Sequence, residues 1–143
     1  MEKQLPLLDT RYITMRWGDM DAVGHLNNTY YFRYMEQIRV EWLEDAGFPI
    51  DPSGIGPVLG HTSCTYKREL TYPATVAITI EVEHVGRSSL KLRHHFYKQG
   101  EPGTGTVYAV GEATLVWVDY QAGKTVPIPE PVRALLRAVG AEA

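Results

Sequence analysis

The sequence predicts an α+β protein in which one antiparallel sheet packs against one long helix. About eighteen residues that end before Gly47 carry apolar side chains at helical spacing, which corresponds to roughly 27 Å of helix. Four segments with the alternation of β-strands follow, and short turns separate them. Short turns favour an antiparallel meander, because parallel neighbours need long crossover connections. The 143 residues are predicted to form one domain over positions 1–143, long enough to bury a core.

Composition and charge exclude several classes of partner. The chain is 44% hydrophobic and 22% charged, which is typical of a soluble globular protein. A formal net charge of −3, with no basic stripe, argues against a nucleic-acid partner. No apolar run reaches the roughly 18–20 residues of a membrane span and no secretory signal is visible, so we expect a cytoplasmic protein without a membrane partner. Cys64 is the single cysteine, which excludes an internal disulfide and disfavours a cysteine-based zinc site.

The first half of the chain is predicted to form a strand, a loop and the long helix. Residues 9–17 alternate loosely and form the strand, and the GDMDAVG segment breaks that pattern as a loop. Asn27 or Asn28 is the expected N-cap, because a short side-chain oxygen can accept an unpaired backbone N–H of the first turn. Gly47 is the expected C-cap. The buried face of the helix is predicted to carry Tyr31, Met35, Ile38, Trp42 and Ala46.

The second half is predicted to consist mainly of strands. Residues 51–60 are rich in Gly and Pro and are expected to form a loop. The strands are expected over residues 62–66, 76–82, 90–97 and 106–119, with a turn EPGTG before the last of them. A Pro-rich extended segment then leads into a short amphipathic helix near residues 132–139. Apolar residues on both strand faces favour a homo-oligomer, because one helix covers only one face of the sheet.

The loop before the long helix is the strongest candidate for a catalytic site. It places Asp21 and His25 beside a helix N-terminus, whose unpaired N–H groups and partial positive charge suit a developing oxyanion. If a substrate carbonyl lies on those N–H groups, Asp21 could attack it directly or deprotonate a water molecule. His25 could orient the carboxylate or the water, or it could simply be satisfied by the backbone. Asp19 and Asp21 could instead bind a divalent metal, but no further acidic cluster lies nearby, and a hydrogen-bonded turn is the better interpretation of Asp19.

Two further polar groups of the sequence have mainly structural interpretations. Glu36 and Arg39 are expected to form an i,i+3 ion pair on the helix, with a second catalytic carboxylate as the alternative. His94 shares a strand face with apolar residues, so it is predicted to be a core or interface histidine.

These motifs resemble those of the hotdog-fold acyl-CoA thioesterases. Residues 17–39, with WGDMD, GHLNN and E-x-x-R in the helix, are similar to the branch related to 4-hydroxybenzoyl-CoA thioesterase. The GRSS turn at 86–89 and the segment PIP at 127–129 fit the same family, so the resemblance covers nearly the whole chain. It implies a hotdog fold, in which a five-stranded antiparallel sheet wraps around one long central helix; the short C-terminal helix predicted above follows. It also implies homodimers, often paired into homotetramers, with active sites at the subunit interface.

The resemblance also implies roles for individual residues. In that branch the second Asp of the loop is the catalytic carboxylate, which corresponds to Asp21. A backbone N–H at the helix start holds the oxyanion, which corresponds to the neighbourhood of Asn27 and Asn28. GHLNN is also similar to plant acyl-carrier-protein thioesterases, in which an Asp, an Asn and a His precede the Asn pair. Asp21 and His25 match that pattern and Val23 replaces its Asn, so the resemblance adds His25 to the predicted catalytic residues. Substrate contacts are predicted for Tyr30, Arg87 and Ser88.

The predicted function is hydrolysis of acyl-CoA thioesters to free acid and coenzyme A, with Asp21 as nucleophile or general base. Coenzyme A is part of the substrate, so no cofactor and no metal are expected. A non-catalytic acyl-CoA binding or sensor protein is the alternative from another class, since the hotdog scaffold hosts several functions. Within the enzyme class, the alternative is a thioesterase for acyl-acyl-carrier-protein. The predicted partners are the acyl-CoA substrate and further copies of the chain, in a homodimer or homotetramer.

Overall fold

The computed structural model describes residues 4–100 and 105–142. The predicted EPGTG turn begins at position 101, so all but its last residue lies outside the described residues. In chain order the elements are β1 (Leu7–Thr14), a 3₁₀ turn (Trp17–Asp19), α1 (Asn28–Asp45), β2 (Ile55–Tyr66), β3 (Thr75–Val85), β4 (Ser89–Lys98), β5 (Ala109–Asp119), β6 (Lys124–Thr125) and α2 (Glu130–Ala138).

The strands form one antiparallel sheet. Their order is β1-β3-β4-β5-β2, and the two-residue β6 pairs with β5. This confirms the predicted class, with an antiparallel sheet, one long helix and a short C-terminal helix, and it is consistent with the hotdog fold. The five predicted strands correspond to the five long strands β1 to β5. The two-residue β6 makes the described sheet six-stranded. β1 and β2 lie at the two edges, so each has a strand neighbour on one side only.

The long helix α1 forms as the apolar spacing predicted, except that Ala46 of the predicted buried face is the C-cap and is half-buried. Tyr31, Met35, Ile38 and Trp42 are buried, and they belong to the hydrophobic core together with the inner faces of β3, β4 and β5. Met35 lies directly over β5 at Gly111, where an added Cβ would overlap the methionine sulfur. Gly111 therefore lets the helix approach the sheet closely, and this contact fixes the height of the helix above the strands.

The first part of β2 was predicted to be a loop, and this prediction was wrong. The strand begins at Ile55, so residues 55–60 belong to a twelve-residue strand. β2 is an edge strand, where the missing N–H of Pro57 need not interrupt the ladder with β5. Gly60 lies at a register shift that follows Leu59, where the strand bulges. The Gly and Pro residues that suggested a loop are those that an edge strand tolerates.

Smaller differences from the prediction concern the ends of strands. β1 runs from Leu7 to Thr14 rather than over 9–17, and Trp17 begins the 3₁₀ turn instead. β5 begins at Ala109, three residues later than predicted. β6 was not predicted, because a two-residue strand is too short to show alternation.

Arg39 of α1 is buried, and its guanidinium contacts His94 of β4. The Arg39 Nη1 and His94 Nε2 atoms lie 3.2 Å apart, and His94 Nδ1 lies 2.7 Å from the Thr79 carbonyl oxygen. Burial, and then the Arg39 charge, lowers the pKa of His94 to about 4, so the imidazole is neutral near pH 7 and donates from Nδ1 while it accepts at Nε2. The predicted ion pair with Arg39 is replaced by one between Glu36 and Arg33, with 3.5 Å between nitrogen and oxygen. His94 is a core histidine, as predicted.

Neither helix of the described chain is long and apolar enough to cross a membrane.

Candidate active site

The loop that leads into α1 is closed by its own backbone hydrogen bonds. The Asp21 N–H donates to the His25 carbonyl at 2.8 Å, and the Gly24 N–H donates back to the Asp21 carbonyl at 3.1 Å. Gly24 has a φ of 83°, which lies in the left-handed region that favours glycine. The Leu26 N–H donates to the Leu70 carbonyl at 2.7 Å, which ties the loop to the connection between β2 and β3. The backbone that carries Asp21 is therefore held from both sides.

Asp19 anchors this loop to the helix. Its Oδ2 accepts a hydrogen bond of 2.6 Å from the Tyr34 hydroxyl and one of 3.3 Å from the Arg16 N–H, while its carbonyl accepts the Asn27 N–H at 3.0 Å. Burial alone would raise the pKa of Asp19, but these hydrogen bonds outweigh it and hold the pKa below its usual value. This is the structural turn that the sequence favoured over a metal ligand. Within residues 4–100 and 105–142, no three His, Cys, Asp or Glu side chains lie where they could hold a metal ion.

The two oxygens of the Asp21 carboxylate have different surroundings. Oδ1 accepts the backbone N–H groups of Val23 at 3.0 Å and of His25 at 3.3 Å. No residue of the described chain donates a hydrogen bond to Oδ2. One oxygen thus fixes the orientation of the carboxylate, and the other is available to a water molecule or a substrate carbon.

His25 approaches Asp21 through its backbone rather than through its ring. The backbone N–H of His25 donates to the Asp21 carboxylate, and the backbone carbonyl accepts from the Asp21 N–H. His25 is one of the residues that line the cleft together with Asp21. His25 therefore helps to orient the carboxylate by its position in the loop, whichever group its ring meets in the cleft.

The start of α1 places Asn27 and Asn28 in different roles. Asn27 is the N-cap, and its Oδ1 accepts the Thr29 N–H at 3.0 Å and the Thr29 hydroxyl at 2.9 Å. Asn28 is the first helical residue, and no acceptor for its N–H is found in the part of the chain that the structure describes. The sequence left open which of the two asparagines caps the helix. The structure leaves the Asn28 N–H as an unpaired donor at the helix N-terminus.

Asp21, His25 and Asn28 line one cleft with a volume of about 240 Å³. The end of β2 and the residues after it supply further lining side chains, namely Tyr66, Lys67, Arg68 and Glu69. The Tyr66 hydroxyl donates to the Asn28 carbonyl at 2.9 Å, and its ring meets that of Tyr31 edge to face, with 4.8 Å between centroids. These contacts attach the end of β2 to the helix start.

The residues from β2 were not identified from the sequence. They are distant from the GDMDAVG loop along the chain, and no local motif links the two segments. The available signal was the run Lys67-Arg68-Glu69, which follows a strand directly and carries no apolar residue. A charged run is usually a solvated surface, so that signal was weak.

The predicted substrate contacts do not all lie at this cleft. Tyr30 lines a neighbouring groove between α1 and β1. Arg87 and Ser88 lie in the turn between β3 and β4, where their carbonyl oxygens accept hydrogen bonds from Ile128 and Trp117. On β5, Tyr66 pairs with Ala109, and Ser89, the residue after Ser88, pairs with Val116. These two positions are seven residues apart, which is roughly 23 Å along the strand. Within one chain, Arg87 and Ser88 are thus at the far end of the sheet from Asp21.

The fold and the cleft agree with one family of proteins. The family model of the thioesterase-like superfamily matches residues 15–136, and the chain belongs to that superfamily. This membership supports hydrolysis of a thioester as the class of reaction.

Solved structures include several similar proteins. The PA2801 protein of Pseudomonas aeruginosa, provisionally described as a thioesterase, is 38% identical, with 93% of this chain and 99% of that chain covered and a TM-score of 0.85. The gentisyl-coenzyme A thioesterase BH1999 is 28% identical, with 89% and 98% covered and a TM-score of 0.76. A protein of Xanthomonas campestris, provisionally described as an acyl-CoA thioesterase, is 36% identical, with 82% and 98% covered and a TM-score of 0.72.

Proposed function

We propose that this protein hydrolyses acyl-CoA thioesters to the free acid and coenzyme A. The observation that carries the proposal is the shared cleft: among the described residues, one oxygen of the Asp21 carboxylate receives no hydrogen bond and the Asn28 N–H has no acceptor. A carboxylate can supply the base or the nucleophile, and a preorganised N–H can hold the oxyanion. The similarity to a gentisyl-coenzyme A thioesterase supports coenzyme A as the thiol part of the substrate.

With Asp21 as general base, Oδ2 takes a proton from a water molecule that attacks the thioester carbonyl carbon. The carbonyl oxygen becomes an oxyanion and accepts a hydrogen bond from the Asn28 N–H, which contributes roughly 3–4 kcal/mol to stabilisation of the transition state. Collapse of this intermediate breaks the C–S bond, and the leaving thiolate takes up the proton. With Asp21 as nucleophile, Oδ2 attacks the same carbon, expels the thiolate and forms a mixed anhydride, which water then hydrolyses.

A substrate panel tests the proposed reaction. We expect release of free thiol from acyl-CoAs of short, medium and long aliphatic chains or with aromatic acyl groups, with saturation for at least one acyl class. The same acyl groups on an acyl carrier protein should react with a lower kcat/KM. A tight acyl-CoA complex that stays unhydrolysed on prolonged incubation would instead indicate a binding or sensor protein. A strong preference for the carrier-bound substrate would indicate the alternative thioesterase.

We also propose that two copies of the chain associate through the free edge of β2. β2 is twelve residues long, and within the described residues it has a strand partner on one side only. An unpaired edge of this length attracts another strand, because its backbone N–H and C=O groups lack partners. Apolar side chains along this edge are between 42% and 48% exposed, namely Ile55, Val58 and Leu59. The homotetramer and the cytoplasmic location stay predictions from the sequence.

Sedimentation equilibrium tests this association. We expect the wild-type protein to sediment as a dimer or a larger even-numbered assembly, and we expect Leu59→Lys to shift it toward the monomer. Tyr12→Lys on β1 is the matched control, because Tyr12 is 55% exposed on the opposite edge of the sheet. A wild-type protein that is monomeric at micromolar concentration, or a shift caused by Tyr12→Lys alone, would contradict the proposed β2 contact.

A further inference from the structure

The basic side chains of this protein are unevenly neutralised. Most of those that the structure describes have a carboxylate oxygen within 4 Å, among them Arg11, Lys91, Arg93, Arg133 and Arg137. Lys67, Arg68 and Lys98 have no such partner in the described part of the chain. The same holds for Arg39, which is buried against His94, and for Arg87 and Lys124, which lie toward the other end of the sheet. In a chain with a net charge of −3, cations without carboxylate partners that gather in one place are a candidate binding site for an anion.

Two of the three cations, Arg68 and Lys98, lie near the ring of Tyr108, and Lys67 precedes Arg68 in the chain. The Arg68 guanidinium carbon lies 6.0 Å from the ring centroid, and the Lys98 Nζ lies 5.8 Å from it. The backbone N–H groups of Lys67 and Arg68 both donate to the Tyr108 carbonyl, at 2.9 and 3.0 Å, so the backbone that carries these two side chains is fixed. Arg68 and Lys98 carry like charges beside the same ring, and a bound polyanion would relieve the repulsion between them.

This cluster of Lys67, Arg68 and Lys98 adjoins the proposed catalytic cleft. Lys67 and Arg68 line the same cleft as Asp21, and Glu69 is the other acidic side chain in that lining. Tyr66 of β2 and Phe96 of β4 both pair with Ala109 of β5, so Tyr66 and Phe96 lie two strand spacings apart. Lys98 is two residues beyond Phe96 on β4. Two strand spacings amount to roughly 10 Å. The extended pantetheine arm of coenzyme A is long enough to cover that separation between a thioester at Asp21 and the basic cluster.

We infer that the cluster of Lys67, Arg68 and Lys98 binds the phosphate groups of the thioester substrate. The inference rests on the proposed function, and it assigns the phosphates to this cluster rather than to Arg87. Both possible substrates contain phosphate. Coenzyme A has a diphosphate and a 3′-phosphate, and the phosphopantetheine of a carrier protein has a single phosphate. Coenzyme A offers more negative charge to three cations, so the cluster favours coenzyme A as the source.

The test compares three substrates with one acyl group, carried on coenzyme A, on phosphopantetheine and on pantetheine without phosphate. In the double variant Lys67→Ala/Arg68→Ala, we expect KM for the acyl-CoA to rise on the order of tenfold or more, since charge-assisted contacts to two phosphate oxygens are lost. The turnover number should change little. KM for the acyl-pantetheine should stay unchanged, and the acyl-phosphopantetheine should show an intermediate rise. Lys124→Ala is the control, because it removes a cation without a carboxylate partner far from the cleft, and all three KM values should stay at the wild-type level.

Direct binding separates this inference from the proposed function. Calorimetric titration with 3′,5′-ADP and with coenzyme A needs no catalysis, and the double variant should bind both at least several-fold more weakly than the wild type. If acyl-CoA is not hydrolysed but 3′,5′-ADP binding still depends on Lys67 and Arg68, the proposed reaction fails and the phosphate site stands. The phosphate site would be overturned if the KM for each of the three substrates were the same in the double variant as in the wild type. A rise in KM for acyl-CoA with Arg87→Ala and none with the double variant would also overturn it.

Discussion

Replacement of Asp21 by asparagine should lower the turnover number for acyl-CoA hydrolysis by on the order of 100-fold to 10,000-fold. An amide cannot take a proton from water near neutral pH, and it cannot attack a thioester carbon as a carboxylate does. The substitution keeps the size of the side chain and an oxygen that accepts the backbone N–H groups of Val23 and His25. The loop should therefore keep its shape, and KM should change much less than kcat. Steady-state release of free thiol measures both constants.

Glu69→Gln is the matched control for Asp21→Asn. Glu69 is the other carboxylate that lines the cleft, so its loss removes the same charge from the same place. We expect kcat of Glu69→Gln to stay within a few-fold of the wild type. Turnover of Asp21→Asn that stays near the wild-type level, together with an inactive Glu69→Gln, would move the catalytic role from the loop to the end of β2.

The loop and the helix could be predicted from the sequence because their signals are local. The N-cap at Asn27 and the hydrogen bond from Arg16 to Asp19 each join residues within three positions of each other, and the buried stripe from Tyr31 to Trp42 repeats in steps of three or four residues. Such local patterns decide which side chains face the core and where backbone N–H groups stay unpaired. The placement of Asp21 beside a helix start follows from them directly.

The remainder of the cleft depends on which strands become neighbours, and the sequence does not state this. Tyr66 lies beside the helix start because β2 pairs with β5 at the edge of the sheet. The sequence did not reveal the full length of β2, because Pro57 and Gly60 are typical of loops. Arg87 lies in a GRSS turn that resembles the family, but the register of β4 on β5 places this turn far from Asp21 in the same chain.

Arg39 illustrates the same limit inside the core. Its i,i+3 spacing predicted an ion pair with Glu36, whereas its guanidinium is buried against His94. The partner is supplied by β4, more than fifty residues later in the chain. A charged residue that is buried needs a hydrogen-bond partner, and that partner can only be identified once the helix is placed on the sheet.

Replacement of Asn28 by proline should lower kcat by on the order of 100-fold to 1,000-fold, because it removes the N–H proposed to hold the oxyanion. Proline suits this position, since the first residue of a helix has no intrahelical partner for its N–H. Asn27 has φ of −58° and ψ of 134°, which is the extended conformation that a residue before proline prefers. The carbonyl of residue 28 remains able to accept the Tyr66 hydroxyl, and helix α1 should form as before.

Two comparisons show whether the lost N–H is the cause. Asn28→Ala removes the same side chain but keeps the backbone donor, so its kcat should stay within a few-fold of the wild type. A rise in KM for acyl-CoA in Asn28→Pro would indicate that the proline ring blocks the cleft. Loss of an oxyanion donor instead lowers kcat at nearly constant KM, because the hydrogen bond strengthens as negative charge develops on the carbonyl oxygen. Equal turnover by Asn28→Pro and Asn28→Ala would assign the oxyanion to another donor. A selective loss in Asn28→Pro, together with the loss in Asp21→Asn, would place the acid–base group and the oxyanion donor on the two ends of one eight-residue segment, held together by the hydrogen bonds of Asp19.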